Sequence, residues 1–527
     1  MTKHSFIRAI ISTTFLVALS LAGKVEAQAT IRRVPADYPT IQQAINASVN
    51  GDTVLVAPGT YVENINFVGK AITVTSEAGR DVTVIDGNRV ASVVRFNSGE
   101  VRSSILSGFT LRNGFASCSA LSEGGGIRIF DSSPSILHNV ITSNNACGSG
   151  AGIAILFGSP IIQDNIITNN NRDSRDGSGG GIYVGGIAPG VTPTEILDNL
   201  ISSNVSNLGG GINVFVSGPI TIRGNIIKEN TAFGVGENTG LGGGIAIFNP
   251  SLILAVQNLI ISNQANKGGG IYWSNPPREL VNNTIAENDA VQGSGIFAGG
   301  SFGAPLLVNN VVSAKTGQSA LFCGEFFNPG LPPNLKNNNI FSPQGTSYAG
   351  VCPDQTGMNG NISADPFFVN PSAGDYHLPL GSPSVDAGDN SAPNLPPTDL
   401  DGKPRIQDGN GDGTSVIDMG AYEAEGLPPF DICIQDDSSG SILRINSATG
   451  DYQFTNCSGF TLAGIGIVSR RGGVVTLQHY ASDRRVLARI DGSVQKATAS
   501  IQVFSQGSIF TITDRNTANN TCACAPQ

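Results

Sequence analysis

The chain of 527 residues is long enough to bury a large core, yet only 13% of its residues are charged and 67 are glycine. This composition excludes an ordinary globular protein with many charged surface helices and suits a glycine-rich β structure. The formal net charge of -10 argues against nucleic acid or an anionic membrane as a partner. The negative charge also disfavours a groove that binds a polyanion directly, without a metal ion to bridge the two.

Residues 1–27 have the features of a secretory signal peptide. Basic residues precede an apolar run from Ile10 to Ala22, and the small residues Val25 and Ala27 provide a cleavage site. The run is too short and too often interrupted by serine and threonine for a transmembrane helix. The sequence therefore predicts a secreted or bacterial cell-surface protein, with no transmembrane segment in the mature chain.

Residues 28–63 are predicted to form an N-terminal cap and a first coil. Thr40 and Gln43 form a capping-box pattern at the start of a helix that ends near Ala47. Such a helix would shield one open end of the core that follows. The motif Gly59-x-Tyr61-x-Glu63 resembles the opening of pectin methylesterases, and the alternative is a purely structural first coil.

Two repeated phrases dominate residues 64–345. Gly-Gly-Gly-Ile, or a close variant, occurs seven times between Gly124 and Ile296, and its isoleucines are 25 to 33 residues apart. Asn-x-Ile-x-x-Asn, or a close variant, alternates with it, and a further copy begins at Asn310 but has Lys315 in its second asparagine position. The complete asparagine pairs are Asn139/Asn144, Asn165/Asn170, Asn199/Asn204, Asn225/Asn230, Asn258/Asn263 and Asn283/Asn288. In the less regular stretch before residue 121, the predicted inward residues are Ile72, Val74, Val82, Val84, Ile85, Val93, Val94, Ile105 and Phe109.

The phrases are short, β-branched and interrupted by glycine or asparagine, so they read as strands and corners. One repeat cannot bury its own apolar face, so neighbouring repeats must stack. Asparagine tolerates the left-handed conformation of a corner, and its side chain can bond to the same amide one coil away. The sequence therefore predicts an all-β fold, a right-handed parallel β-helix.

Residues 30–345 resemble the β-helix repeats of the pectin-lyase-like superfamily, through the coil phrases quoted above. The resemblance implies the fold. It does not imply one activity, because that superfamily includes lyases, hydrolases, esterases, epimerases, phage tailspikes and adhesins.

A row of aromatic residues follows successive Gly-Ile markers. Its members are Phe130, Phe157, Phe215, Phe248 and Trp273. Aromatics repeated at the coil spacing could stack against sugar rings, which would make this row a carbohydrate-binding surface. The alternative is an internal aromatic stack that stabilises the solenoid.

Residues 171–177 form the largest charged excursion between coils. Its charged residues are Arg172, Asp173, Arg175 and Asp176. Loops on one face of a solenoid often carry function, so these four are the weak catalytic candidates of the sequence. A solvated turn is the alternative.

Residues 346–427 lose the period and gain proline. Asp365-Pro366-Phe367-Phe368, Asp399 to Arg405 and Ile417 to Glu423 resemble the "choice-of-anchor" closing segment that follows β-helices in secreted bacterial proteins. The resemblance implies a C-terminal cap and a surface location, and not catalysis.

A possible calcium loop lies inside this closing segment. Asp408, Asn410 and Asp412 alternate with glycine, as the oxygen ligands of calcium loops do. The twelfth position is Met419 instead of a bidentate glutamate, and a plain Asp/Gly turn is the alternative. Calcium is the one cofactor that the sequence suggests.

Residues 428–527 are predicted to form a separate β-sandwich-like module. Because export favours disulfides over zinc, the eight cysteines are expected to pair. Cys118 is expected to bond to Cys147 and Cys323 to Cys352, while Cys433 and Cys457 each bond to one of Cys522 and Cys524.

The family signatures of polysaccharide-acting enzymes are missing. There is no Gly-His-Gly with a paired Asp-Asp, and no arginine base beside an aspartate cluster in the regular coils. The sequence therefore favours a non-enzymatic protein that presents an extended surface to a polysaccharide or cell-envelope partner. The alternative is a lyase or glycoside hydrolase, which would need an acid/base or acid/metal cluster on one solvent face within two or three neighbouring coils.

Overall fold

The computed structural model describes most of the chain from residue 29 to residue 424 and the backbone of the strands beyond it. The described ranges are 29–117, 123–170, 177–186, 192–215, 218–236, 238–248, 252–300, 303–324, 332–410 and 414–424, with strands between 432 and 513. The predicted signal peptide lies outside the described residues, as do Arg172, Asp173, Arg175 and Asp176.

Three long parallel sheets form the walls of the solenoid, and each coil contributes one strand to each wall. Sheet A consists of Ile31–Val34, Thr53–Val56, Thr73–Ser76, Ile105–Ser107, Ser135–Leu137, Ile161–Gln163, Thr194–Leu197, Pro219–Arg223, Leu252–Val256, Glu279–Val281, Leu306–Val308 and Asn334–Lys336. Sheet B consists of Gly59–Val62, Thr83–Asp86, Thr110–Arg112, Val140–Thr142, Ile166–Thr168, Leu200–Ser202, Ile226–Lys228, Leu259–Ile261, Thr284–Ala286, Val311–Ser313 and Asn339–Phe341. Sheet C consists of Ile65–Asn66, Val94–Phe96, Ile127–Phe130, Ile153–Leu156, Ile182–Gly185, Ile212–Phe215, Ile245–Phe248, Ile271–Trp273, Ile296–Ala298, Leu321–Cys323 and Tyr348–Gly350.

Two smaller parallel sheets lie at the corner between sheets B and C. Sheet D contains Val205–Ser206, Thr231–Ala232, Gln264–Lys267 and Asp289–Gln292, and a two-stranded pair joins Phe115–Ala116 to Asn145–Ala146. The marker isoleucines lie in register, as in the pairing of Ile212 with Ile245. The predicted parallel β-helix is therefore confirmed.

Strand alternation places one residue of every two in the core. Ile72, Val74 and Ile85 are fully buried, as predicted. Val82 is 49% exposed, and Val84 and Ile105 face outward, so these three predictions are wrong. Because both residues of a pair such as Val84 and Ile85 are apolar, composition alone does not fix which one faces inward.

The asparagine columns form two continuous hydrogen-bonded ladders inside the coils. In the second ladder, Asn204 Nδ2 donates to Asn230 Oδ1 at 3.0 Å, and Asn230 Nδ2 donates to Asn263 Oδ1 at 3.0 Å. Each amide also bonds to a main-chain carbonyl of the preceding coil, as Asn230 Nδ2 does to the Ile201 oxygen. The first ladder continues beyond Asn310 to Asn338 and Asn361.

The residue before each ladder asparagine takes the left-handed conformation. Ser203, Glu229 and Glu287 have φ of 55°, 57° and 52°. The sequence predicts this conformation for the asparagines themselves. They instead lie one residue later with their side chains fully buried, and the residue before them makes the bend.

The glycine triplet is required where adjacent coils approach each other. Gly209 has φ +62°, a region that side chains rarely adopt. A Cβ at Gly211 would lie 2.6 Å from the main-chain oxygen of Gly244 in the next coil. The first and third positions of the phrase therefore require glycine.

A helix spans Ile41–Ala47 at the predicted place, and its role as a cap on the solenoid stays a prediction. Thr40 Oγ1 accepts a hydrogen bond from the Gln43 amide at 3.2 Å. The Glu63 carboxylate accepts from the amides of Ile41 and Gln42, so it caps the same helix end. The Gly59-x-Tyr61-x-Glu63 motif thus has the structural role of a first coil, which was the alternative to an esterase-like opening.

The closing segment lies along the outer faces of the C-terminal coils. A short 3-10 helix, Pro371–Ala373, and a small antiparallel pair, Ile406–Gln407 with Val416–Ile417, are its regular elements. Tyr376, Ala421 and Tyr422 pack on Leu259, Ile261 and Ala286 of sheet B. Ala392 packs on Val256, Val281 and Val308 of sheet A. The segment therefore covers the side of the solenoid as well as following its last coil.

The predicted Cys323–Cys352 disulfide is present, with Cα atoms 4.9 Å apart. Cys147 is also disulfide-bonded, while Cys118 lies outside the described residues. Within the described parts of the chain, no helix combines the length and apolarity needed to cross a membrane.

The tail contains two antiparallel sheets. The first has Ile432–Gln435, Ile442–Ile445, Asp451–Asn456 and Phe460–Ile465. The second has Ile467–Arg471, Val474–Tyr480, Val486–Ser493, Ser500–Ser505 and Ser508–Thr513. The side chains of Cys433, Cys457, Cys522 and Cys524 lie outside the described residues, so their pairing stays a prediction.

Candidate functional site

The outer face of sheet C carries a continuous row of aromatic rings, here called the aromatic ladder. It consists of Phe215, Phe248, Tyr272, Phe297 and Phe322, with successive ring centroids 5.3 to 6.1 Å apart. Trp273 does not belong to it, because its side chain is 1% exposed and faces the core. The prediction that Trp273 contacts sugars is therefore wrong.

The rings of the aromatic ladder stack on each other. Tyr272, Phe297 and Phe322 are stacked with interplanar angles of 18° and 12°. A sugar needs an open ring face, and in these three residues neighbouring rings occupy the faces. The ladder therefore stabilises the sheet from outside, which corrects the alternative prediction of an internal stack.

Four of the five predicted carbohydrate-binding aromatics do face outward. Phe130 and Phe157 form a separate edge-to-face pair with centroids 5.8 Å apart. Phe157 and Phe215 are 56% and 51% exposed, while Phe248 is partly buried in the aromatic ladder. Sugar binding by these four phenylalanines stays a prediction.

A polar groove opens where the closing segment meets three neighbouring coils. Its volume is about 790 Å³. The coils contribute one wall and the closing segment the other. Its lining residues are Ser262, Gln264, Glu287, Asp289, Lys315, Pro371, Ser372 and Tyr376. The groove thus brings an acidic and a basic group together on one solvent face, which is the arrangement that an enzyme on this fold would need.

Asp289 and Lys315 neutralise each other inside the polar groove. Lys315 Nζ lies 2.7 Å from Asp289 Oδ2, and Gln318 donates to Asp289 Oδ1 at 2.7 Å. The hydrogen bonds from Lys315 and Gln318 lower the pKa of Asp289. Lys315 occupies the position at which the next asparagine of the second ladder would lie. This interruption of the repeat supplies the basic side chain of the polar groove.

Glu287 is the other carboxylate of the polar groove, and it makes no hydrogen bond or ion pair with any described residue. Partial burial raises its pKa, and the charge of Lys315 opposes that effect. Its left-handed backbone turns the side chain outward just before the buried Asn288. Glu287 is therefore available to a ligand.

Tyr376 anchors the opposite wall of the polar groove. Its side chain is 2% exposed and packs edge-to-face on Phe368 at 5.1 Å. Burial and the nearby Glu287 raise its pKa to about 12, so the hydroxyl stays protonated and can donate a hydrogen bond. Pro371 and Ser372, on the adjoining 3-10 helix, complete that wall.

His377 lies between two carboxylates next to this wall. Its Nδ1 is 2.6 Å from Asp375 Oδ1, and its Nε2 is 2.7 Å from Asp401 Oδ2. A neutral imidazole has one N–H, so only the doubly protonated ring donates to both. Burial lowers the pKa of His377, but the bonds to Asp375 and Asp401 raise it more, and the net direction is upward.

We expect the contribution of His377 to stability to depend on pH. Because its folded pKa is raised, the contribution is complete below the unfolded value of about 6.5 and is lost as pH rises through the folded pKa. His377→Gln should cost about 1 kcal/mol or less at acidic pH, and less at alkaline pH. Thermal melts of both proteins across pH measure this difference.

His138→Gln is the matched control for this experiment. Its ring lies 3.2 Å from Asp164, but the two side chains are 61% and 58% exposed. Solvent screens this pair, so we expect His138→Gln to have little effect on stability. A cost for His377→Gln that stays constant across pH would contradict the assignment.

A buried charge cluster holds the closing segment together. Arg405 Nη1 lies 2.7 Å from Glu423 Oε1, and the two side chains are 2% and 1% exposed. Asp418 accepts from the amides of Asp386 and Ala424, and Asp399 accepts from the amide of Glu423. Asp399, Arg405, Asp418 and Glu423 belong to the phrases Asp399 to Arg405 and Ile417 to Glu423, which therefore encode an internal network.

Two of the three predicted calcium ligands, Asp408 and Asn410, are described, and their segment lies beside Asp386. The amides of Gly409 and Asn410 donate to the two carboxylate oxygens of Asp386. Asp412 lies outside the described residues. Calcium binding by Asp408, Asn410 and Asp412 stays a prediction.

Sequence reasoning missed the polar groove. Glu287 and Asp289 flank a ladder asparagine, and Lys315 interrupts the second ladder, so the coil side had a readable signal. The other wall had none, because Tyr376 is about ninety residues further along the chain than Glu287. Nothing in the period indicates where the closing segment returns to the coils.

Part of the chain matches a protein-family model, and solved structures of other proteins are similar to it. A protein-family model described as "Right handed beta helix region" matches residues 48–227. The solved structure of pectate lyase Pel9A is similar at 14% identity, covering 73% of this chain and 91% of that chain, with a TM-score of 0.38. The structure of the PL6 family alginate lyase AlyGC is similar at 15% identity, covering 70% of this chain and 60% of that chain, with a TM-score of 0.40. No curated protein matches the sequence.

The described coils, their parallel registers and the matching family model lead to one assignment. It concerns the fold, since identities of this size identify no activity. The chain is a right-handed parallel β-helix repeat protein.

Proposed function

We propose that the protein is exported and binds a polysaccharide in the polar groove. The observation that carries the proposal is the groove itself, which is open, elongated across three coils and lined mainly by hydrogen-bonding side chains. Hydroxyl, amide and carboxylate groups such as Ser262, Gln264 and Glu287 complement the hydroxyl groups of sugars. The N-terminal apolar segment supports export, and a cell-envelope glycan is then an accessible partner.

Blocking the groove tests the proposal. Gln264 is exposed in sheet D, and Gln264→Trp should fill the groove with an indole ring. Thr231 pairs with Gln264 in the preceding coil but does not line the groove, so Thr231→Trp is the matched control. A glycan array with the full-length protein should show at least a tenfold loss of affinity for Gln264→Trp alone, about 1.4 kcal/mol. Equal binding by both variants, or no binding by the unmodified protein, would contradict the proposal.

A polysaccharide-cleaving enzyme is the second candidate function. Glu287, with its raised pKa, lies in the same groove as Lys315 on the next coil, so an acid and a base are close together. Lys315 is held in an ion pair with Asp289 and cannot act as the catalytic base in that state, which favours binding over cleavage. Release of reducing or unsaturated ends from bound glycans, abolished by Glu287→Gln, would establish the enzyme instead.

A further inference from the structure

The polar groove has one negative charge left over after its internal ion pair is taken into account. Lys315 Nζ lies 2.7 Å from Asp289 Oδ2, and Asp289 Oδ1 accepts from Gln318, so both charges of the pair are satisfied. Glu287 remains as a carboxylate without a hydrogen-bonding or ion-pairing partner among the described residues. The groove therefore offers one available negative charge to a ligand.

The rest of the molecule adds to this negative potential. The chain has a formal net charge of -10. On the closing-segment side, Asp375 and Asp401 lie against His377, next to the wall formed by Tyr376. An acidic glycan would meet repulsion here, because no described basic side chain in the groove lining is without an acidic partner.

A protonated amine is the ligand group that fits this arrangement. The carboxylate of Glu287 can accept a charge-assisted hydrogen bond from an ammonium group, which is stronger than a bond between neutral partners. Ser262, Gln264 and Ser372 lie around it and can bond to sugar hydroxyls. The groove thus combines one anionic acceptor with neutral polar groups.

We infer that the polar groove selects glycans that carry free amino groups, with Glu287 as the residue that determines this specificity. The inference rests on the proposed glycan binding and adds the chemical class of the ligand. An ammonium on the sugar pairs with Glu287, an acetylated amine loses that pair, and a uronate carboxylate is repelled.

Matched oligosaccharides separate these cases. Calorimetric titrations of the full-length protein use glucosamine oligomers, N-acetylglucosamine oligomers of the same length and galacturonate oligomers at about pH 6, where carboxylates and most amines are charged. We expect the glucosamine oligomers to bind about tenfold more tightly than the acetylated ones, and the galacturonate oligomers to bind most weakly. Rising salt should reduce the amine preference, because Glu287 is partly exposed.

Two variants assign the preference to one carboxylate. Glu287→Gln keeps the shape of the side chain and should equalise the affinities for amino and acetylated oligomers. Glu229 takes the same left-handed position two coils earlier, with φ 57° against 52°, and lies outside the groove lining. Glu229→Gln should leave the amine preference unchanged, and circular dichroism checks that both variants fold.

The outcomes distinguish this inference from the function on which it rests. Equal binding of amino and acetylated oligomers, tightest binding of galacturonate, or equal effects of the two variants would overturn the amine specificity and leave glycan binding standing. Absence of binding to every oligosaccharide would overturn both.

Discussion

Asn230→Ala is expected to destabilise the central coils by about 3–5 kcal/mol, because it removes one rung from a fully buried ladder. The lost Oδ1 accepts from both the main-chain amide and the side-chain amide of Asn204. The lost Nδ2 donates to the Ile201 oxygen and to Asn263 Oδ1. Asn230 is 0% exposed, so these partners lose their hydrogen bonds in a buried setting.

The measurement for Asn230→Ala is hydrogen exchange followed by mass spectrometry. Each coil contacts only its neighbours, so the loss of protection should centre on the coils of Asn204 and Asn263 and decrease along the solenoid. Asn46→Ala is the control, because Asn46 is exposed and its side chain accepts one hydrogen bond, from Gln42. Similar costs for the two variants would show that the ladder is not a main source of stability.

Asn230→Asp adds a pH dependence with a defined sign. An ionised carboxylate at this position would face the oxygens of Ile201 and Asn263 without a donor, so burial would raise its folded pKa. A group with a raised folded pKa is most favourable when protonated, so the deficit relative to the unmodified protein should shrink as pH falls through the folded pKa and be smallest below the unfolded value of about 3.9. A deficit that grows on acidification would contradict this.

The coils could be predicted because every coil has to meet the same packing and hydrogen-bonding requirements. Gly211 must be glycine to approach Gly244, and Asn230 must bond above and below, so both leave a period in the sequence. The first ladder extends further than predicted, to Asn338 and Asn361, because the surrounding phrase changes while the buried amide is kept. The repeat period of the sequence therefore predicts that the coils stack better than it predicts which coil is the last.

Strand phase was harder to predict than strand position. Phe215 and Phe248 follow their marker isoleucines by three residues and face outward, whereas Trp273 follows Ile271 by two and faces inward. A difference of one residue exchanges the two faces of a strand. The outward member of that coil is Tyr272, which pairs with Ala246 and joins the aromatic ladder.

The candidate site depends on a long-range contact that no local pattern encodes. Lys315 could be noticed as a break in the second ladder, but its partner Asp289 and the wall at Tyr376 come from different parts of the chain. The closing segment packs on sheet B through apolar residues such as Tyr422. These contacts fix the groove, and they occur once instead of repeating.

Arg405→Met is expected to destabilise the closing segment by about 3–5 kcal/mol, because it leaves buried carboxylates without their cation. Glu423 loses its 2.7 Å partner, and Arg405 also donates to the main-chain oxygen of Gly420. Burial already raises the pKa of Asp418 to about 7 and that of Glu423 to about 9, against the opposing charge of Arg405. Removing that charge should raise both values further and favour proton uptake.

The pH dependence of Arg405→Met follows from these raised pKa values. A carboxyl group whose folded pKa is raised is favourable below its unfolded value of about 4 and costs stability as pH rises through the folded pKa. The variant should therefore come closest to the unmodified protein in acid and differ most above about pH 7. Hydrogen exchange of peptides from residues 365–424, measured once in acid and once above about pH 7, tests this pH dependence. Peptides from the early coils serve as an internal reference.

Arg33→Met separates the effect of burial from the effect of charge. Arg33 also pairs with a carboxylate, Glu77 at 3.8 Å, but both side chains are 51% exposed. Solvent screens this pair, so we expect a cost of about 0–1 kcal/mol. A large loss of protection at residues 365–424 for Arg405→Met alone would show that the buried pair holds the closing segment on the coils.

Because Tyr376 and Ser372 belong to that segment, the same variant should also weaken glycan binding in the polar groove. Unchanged protection in both variants would mean that apolar packing of Tyr376 and Tyr422 is sufficient.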